Sequence, residues 1–201
     1  MTKRWILAIG GLALAILPVR AHAQAAGSVE LGLVARQNIY DTEVGIESAA
    51  GIGGRLGVFV GPDLEVELEG SYAEPRLSDQ PGWEGRRFIS HELYQARIAY
   101  THWLAGRVGL LLGGGYAYDH YHRPRNVGVM GGGLGGLIGL RFRFSDAFSG
   151  RFEWTGYLVP ADKNAFPVPR VQALNLGGQM GVSLVLRRPE ERVAADRSSE
   201  N

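Results

Sequence analysis

Residues 64–72 read Leu64-Glu65-Val66-Glu67-Leu68-Glu69-Gly70-Ser71-Tyr72, an alternation in which apolar and polar side chains take turns without a break. Successive side chains on a β-strand point to opposite faces, so this segment has one aliphatic and aromatic face and one face bearing Glu65, Glu67 and Glu69. It is a two-faced strand, and the fold has to give each face its own surroundings.

The same alternation recurs along the chain and predicts eight strands, at about 28–38, 50–60, 64–72, 91–102, 107–118, 127–144, 149–158 and 171–186. Glycine erases the pattern between Val127 and Gly136, and it returns at Ile138, Leu140, Phe142 and Phe144 against Arg141 and Arg143. Longer polar loops (39–49, 73–89, 119–126, 159–169) alternate with short turns at Gly61-Pro62-Asp63, Trp103–Gly106 and Ser145–Phe148. Strands in even number, joined alternately by short turns and long loops, are the pattern of an up-and-down β-barrel of the bacterial outer membrane.

The amino terminus agrees with that compartment. Lys3 and Arg4 precede an apolar stretch from Trp5 to Leu17, followed by Pro18 and the small-residue site Ala21-His22-Ala23. This predicts a secretory signal peptide over 1–23, cleaved after Ala23 or, as second choice, after Ala25. The apolar stretch falls short of the roughly 20 residues a spanning helix needs. The chain has no cysteine, which excludes a lipid-modified amino terminus, disulfides and thiolate metal sites. The formal net charge of +1 gives no reason to expect a nucleic-acid partner. The expected organisation is a signal peptide at 1–23, a barrel at 24–187, and a polar, disordered tail at 188–201.

A barrel of this size has two mirror-image solutions: a soluble, lipocalin-like barrel with an apolar interior, or a membrane barrel with the faces exchanged. The polar face carries Glu30, Glu65, Glu67, Glu69 and Glu153 against Arg36, Arg55, Arg97, Arg107, Arg141, Arg143 and Arg151. It is interrupted by small residues such as Gly53, Gly57, Gly113 and Gly139, while the apolar face is expected to be bulky on every strand. Glycines among long side chains suit a crowded lumen, whereas on a soluble exterior they would only weaken the strands. An arginine turned to lipid at the bilayer midplane costs about 2 to 4 kcal/mol, so the charges are expected inside.

The expected interior is an ion-pair network of Arg55, Glu65, Glu67, Glu69, Arg97, Arg141, Arg143, Arg151 and Glu153, with Arg55 opposite Glu69 and Arg141 near Glu153. Aromatic girdles are expected from Tyr72, Tyr94, Tyr116 and Tyr118 at the outer interface and from Tyr100, Phe142, Phe144 and Phe152 at the periplasmic one.

The chain from 24 to 187 resembles the small outer-membrane β-barrel family typified by the transmembrane domain of outer membrane protein A. The resemblance rests on strand count, loop rhythm, the hairpin Gly139–Asp146 with Arg151-Phe152-Glu153-Trp154, and the last strand. There Gln179, Gly181, Leu184 and Leu186 are similar to the insertion signal read by the barrel assembly machinery, although Leu186 stands where an aromatic is usual and a tail follows. The tail is too short for the peptidoglycan-binding domain of larger members.

Three other motifs point elsewhere. Gly131–Gly136 fits a dinucleotide-binding glycine pattern, but without a following helix or a βαβ unit it reads as lumen packing or a bulge. Asp119, His120 and His122 have metal-compatible spacing in what reads as a solvated loop, beside Arg123 and Arg125, which could contact lipopolysaccharide phosphates. Ser90 and His91, adjacent on a strand, point to opposite faces and cannot form a nucleophile and base pair.

The expectation is therefore a non-enzymatic, monomeric, structural or surface-interaction barrel with a side-chain-filled lumen, no large pore, no cofactor and no metal. Its partners would be outer-membrane lipid, lipopolysaccharide and the assembly machinery. The alternatives are a lipid-modifying enzyme, a minor ion-conducting pore and a soluble ligand-binding barrel.

Overall fold

The computed structural model describes residues 26–40, 45–77, 88–122, 129–160 and 172–186. The signal peptide, its cleavage site, Arg123, Arg125 and the tail lie outside the described residues. The strands are β1 (Val29–Ile39), β2 (Ala49–Phe59), β3 (Leu64–Ala73), β4 (Ser90–Ala105), β5 (Val108–His122), β6 (Val129–Arg143), β7 (Phe148–Pro160) and β8 (Gln172–Leu186). They pair antiparallel in sequence order, and β8 returns to β1 to close the barrel. Closure leaves no strand edge unpaired, which is what a sheet must achieve to lie in hydrocarbon.

Tight turns fix the register. Val60 N donates to Leu64 O at 2.9 Å across the β2–β3 turn, and this sets Arg55 opposite Glu69. Ser145 Oγ accepts from Phe148 N at 3.1 Å in the β6–β7 turn, a local bond that stabilises the reversal. That turn pairs Arg141 with Arg151 and Gly139 with Glu153, so the expected neighbour of Glu153 is displaced by two residues along β6.

Burial is inverted relative to a soluble protein. Leu33, Ile52 and Leu134 are 71%, 73% and 74% exposed, while Glu30, Glu67 and Glu153 are 0% exposed. An exposed aliphatic belt encircling the whole molecule far exceeds the apolar patches of soluble monomers. Among the described residues no helix is long and apolar enough to cross a membrane, so any crossing is made by strands.

Two boundaries differ from the sequence reading. Trp103 to Gly106 is not a turn: β4 continues to Ala105, with a register irregularity between Trp103 and Ala105, and the connection narrows to residues 106–107. Trp103 lies under the guanidinium of Arg143, whose Cζ is 4.2 Å from the ring centroid, a cation–π contact that stabilises this end of the lumen. Arg107, counted with the lumen charges in the sequence, sits instead in that connection and is exposed. At the other end β5 runs on through His122, so Asp119, His120 and His122 belong to a strand rather than a loop. Polar residues on both faces conceal a strand there from a pattern search.

The apolar face is also less uniformly bulky than expected, because Gly70, Gly132, Gly150 and Gly178 are on it. Each lies beside an aromatic ring: a Cβ would stand 3.5 Å from Tyr94 at Gly70, 3.2 Å from Trp154 at Gly178 and 2.8 Å from Phe144 at Gly150, and would collide with Tyr116 at Gly132. The ring covers the backbone that glycine leaves bare, a known device for glycines in sheets.

Candidate functional site

The lumen holds the charged groups in a single connected layer. Glu67 accepts from Arg97 Nε at 2.8 Å, pairs closely with Arg151, and lies 3.8 Å from Arg55. Glu69 accepts from Arg55 Nη2 and from Arg97 Nη2, each at 2.7 Å, and its other oxygen is 3.6 Å from Arg36. Glu153 bridges Arg55 at 2.9 Å, Arg151 at 3.3 Å and Arg97 at 3.4 Å, and accepts from Gln179 Nε2 at 2.6 Å. Glu65 meets Arg141 at 3.0 Å and Arg151 at 3.5 Å. Every one of these side chains is at most 5% exposed. Each carboxylate lies against more than one guanidinium group, which offsets part of its desolvation. One oxygen of each of Glu65, Glu69 and Glu153 has no hydrogen bond among the described residues, and those of Glu69 and Glu153 have ion-pair contact alone.

Arg141 reaches Glu30, with which it makes a close pair, and Glu65; its expected partnership with Glu153 is replaced by these. Its guanidinium also lies over Phe59, 5.0 Å from the ring centroid. Arg143 is buried but belongs with Trp103 at the short-turn end. Glu30, Arg36, Gln95 and Gln179 belong to the layer although sequence reasoning named none of the four as its members. Arg36 donates to Gln179 at 2.9 Å and to Thr155 at 2.8 Å. Glu30 and Arg36 stand among the charges that the sequence turns inward, and only their place in the ion-pair network goes beyond that reading.

Small residues make room for this layer. At Gly139 a Cβ would stand 2.9 Å from Glu153 Cα and clash with the Phe152 carbonyl, while at outward-facing Gly136 its nearest neighbour would be at 3.5 Å. Gly139→Leu is therefore expected to lose about 1 to 3 kcal/mol of stability, the range for overpacking, and Gly136→Ala to stay within about 0.5 kcal/mol of the parent. Urea unfolding of the two variants in micelles measures the contrast. A void lined in part by Gln95, Arg97 and Gly115 amounts to about 10 Å³, room for no more than one water.

Above the charged layer, toward the long loops, lies a second buried cluster. His91 Nδ1 is 2.7 Å from the Tyr40 hydroxyl and Nε2 is 2.5 Å from Asp119 Oδ1, with Tyr121 stacked on the imidazole at 4.5 Å. Burial, and next the charge of Asp119, pushes the Tyr40 hydroxyl well above its usual range and keeps it protonated. Tyr40 then donates to Nδ1, leaving Nε2–H to donate to Asp119. Asp119 thus points into the lumen, not toward His120 and His122.

Those two histidines face outward and meet Glu92 of β4. Glu92 is the register partner of His120. Its carboxylate is 3.4 Å from His120 Nδ1 and 3.3 Å from His122 Nε2. Tyr94, in the girdle just below, donates its hydroxyl to Glu92 Oε2 at 3.0 Å. Ser90 Oγ accepts from Tyr72, also in the girdle, at 3.3 Å, on the outer face, with His91 on the inner one.

Tyr72, Tyr94, Tyr116, Tyr100 and Phe152 are all exposed on the outer face, and Phe142 is half-buried there. Gln179 and Gly181 face inward, Leu186 is exposed, and Leu184 is half-buried.

A closed barrel with a polar, filled interior and an aliphatic exterior bounded by aromatics is a membrane barrel. Residues 9–178 match the family described as the outer membrane protein beta-barrel domain, and the chain belongs to that family. It is thus a protein of the bacterial outer membrane. The fold is similar to the N-terminal β-barrel domain of Pseudomonas aeruginosa OprF (17% identity, 80% of this chain and 99% of that one, TM-score 0.50). It is also similar to neisserial surface protein A (14%, 78% and 95%, 0.54) and to OprG from Pseudomonas aeruginosa (11%, 83% and 99%, 0.56). No curated protein matches the chain in sequence.

Proposed function

We propose that the protein is a structural or surface-interaction barrel, directed to the outer membrane by cleavage of residues 1–23 and lying with both termini in the periplasm. The observation that carries this reading is the charged layer across the lumen, in which Arg55, Arg97, Arg141 and Arg151 are consumed by Glu30, Glu65, Glu67, Glu69 and Glu153. Ions would have to break several buried pairs to pass, and solutes have no path through such a layer. The orientation is supported by the connections: residues 60–63, 106–107 and 144–147 are short and share an end with the ends of the described barrel, whereas 40–48, 74–89, 123–128 and 161–171 are longer. The long loops then present the interacting surface to lipopolysaccharide and to other surfaces, and the last strand serves recognition by the assembly machinery. The protein acts as a monomer and carries out no catalysis.

The unboiled protein in SDS is expected to migrate differently from the boiled protein, because a closed ladder resists detergent. In planar bilayers the folded species is expected to give no stable, large conductance steps. Steady open channels from a heat-shifting preparation would replace the structural reading with a pore, and turnover of labelled lipopolysaccharide would replace it with an enzyme.

A further inference from the structure

We infer that Glu92, His120 and His122 form a binding site for a divalent transition metal ion of the zinc type on the outer face at the long-loop end. Their ligand atoms lie within 4.8 Å of one another. The site is built by the sheet: β5 places His120 and His122 on one face by its period of two, and the β4–β5 register places Glu92 beside His120. The two imidazoles lie 3.9 Å apart between centroids, both next to one carboxylate.

The spacing is that of a coordination shell. Bonds of about 2.0 to 2.1 Å in a tetrahedral zinc site put neighbouring ligand atoms about 3.3 Å apart. The observed nitrogen–oxygen separations are 3.4 Å from His120 Nδ1 to Glu92 Oε2 and 3.3 Å from His122 Nε2 to Glu92 Oε1, so each imidazole faces its own carboxylate oxygen and a small rotation of the carboxylate brings one oxygen to both. Both are long for an N–H···O hydrogen bond, about 2.7 to 3.2 Å, so little is given up when a metal ion takes the place of the histidine–glutamate contacts. Tyr94 supplies the outer-sphere donor that metal-binding carboxylates commonly have, reaching Glu92 Oε2 at 3.0 Å. The side chains of His120, Glu92 and His122 are 18%, 29% and 47% exposed, which leaves an open side for water or for a ligand from a lipid headgroup.

Two nitrogen donors decide the class of metal. Calcium and magnesium prefer all-oxygen shells, whereas imidazole suits zinc, nickel and copper. The site is therefore distinct from the calcium- or magnesium-bridged phosphates that any lipopolysaccharide surface collects.

The full mature barrel, refolded in micelles without a histidine tag, is titrated with zinc chloride by calorimetry and with cobalt(II) by visible absorption. One zinc ion per barrel is expected. Glu92→Gln, His120→Ala and His122→Ala should each weaken binding by about tenfold or more, and Tyr94→Phe by about tenfold. His102→Ala, on the same strand but near the opposite end, should bind as the parent does. An excess of calcium or magnesium should not displace the zinc.

Each variant is checked for the heat-dependent shift in SDS. Independently of any substitution, zinc added to the parent should perturb the imidazole NMR signals of His120 and His122 and leave that of His102 unchanged. No zinc binding by the parent, binding that survives in the His120→Ala/His122→Ala double variant, or displacement by calcium would each overturn the inference.

Discussion

Glu67→Leu is expected to lower the unfolding free energy by about 3 to 5 kcal/mol, the cost of stranding a buried charge. Glu67 is the partner of Arg97 and Arg151 and lies near Arg55, in a lumen where its own side chain is 0% exposed. Its removal leaves guanidinium groups in a low-dielectric interior with less compensation, and the leucine offers them no acceptor. The loss is read by urea unfolding in lipid vesicles, followed by tryptophan fluorescence. The double variant Glu67→Leu/Arg151→Leu should recover part of it, because one stranded charge is then gone, and the coupling so measured belongs to the pair. A loss of less than about 1 kcal/mol for the single variant would place Glu67 in contact with water and the charged layer in doubt.

Ile98→Arg is expected to cost about 2 to 4 kcal/mol in a bilayer. Ile98 is 55% exposed on the outer face of β4, between Tyr94 of one girdle and Tyr100 of the other, at the depth where lipid is driest. With the outer face of the same barrel in water instead of lipid the substitution would be nearly neutral, so its cost in a bilayer reports the contact of Ile98 with hydrocarbon. Ile98→Leu, which keeps the volume and the character, is the control and should lose less than about 1.5 kcal/mol. Folding yields into vesicles, followed by the heat-dependent shift in SDS, give the comparison.

The two substitutions act on opposite faces of the sheet, and both faces could be read from the chain. Alternation in β3 separated Glu65, Glu67 and Glu69 from Val66 and Leu68, and the Gly61-Pro62-Asp63 turn was sharp enough to set Arg55 opposite Glu69. The count failed across the β6–β7 turn, where Arg141 faces Arg151 rather than Glu153, because a shift of two residues keeps every side chain on its face and leaves no trace in the pattern. The ends of β4 and β5 were hidden for a related reason. Beyond the apolar belt the outer face is polar too, so Glu92, Asp119, His120 and His122 carry no alternation to detect.

What the sequence determined by itself is everything that depends on a period of two: which residues share a face, how many strands there are, and which face is too heavily charged for lipid. Local steric and transfer energies set these, and they act on residues close in the chain. Which charges meet, across the lumen and on the outer face, is settled by the folded barrel. Arg141 with Glu30, Arg97 with Glu153, and Glu92 with His120 and His122 are brought together by barrel closure, inter-strand register and the reach of long side chains. These contacts join residues distant in the chain, and many pairings of the same arginines and glutamates satisfy the same alternation. The three-dimensional arrangement of the strands selects one.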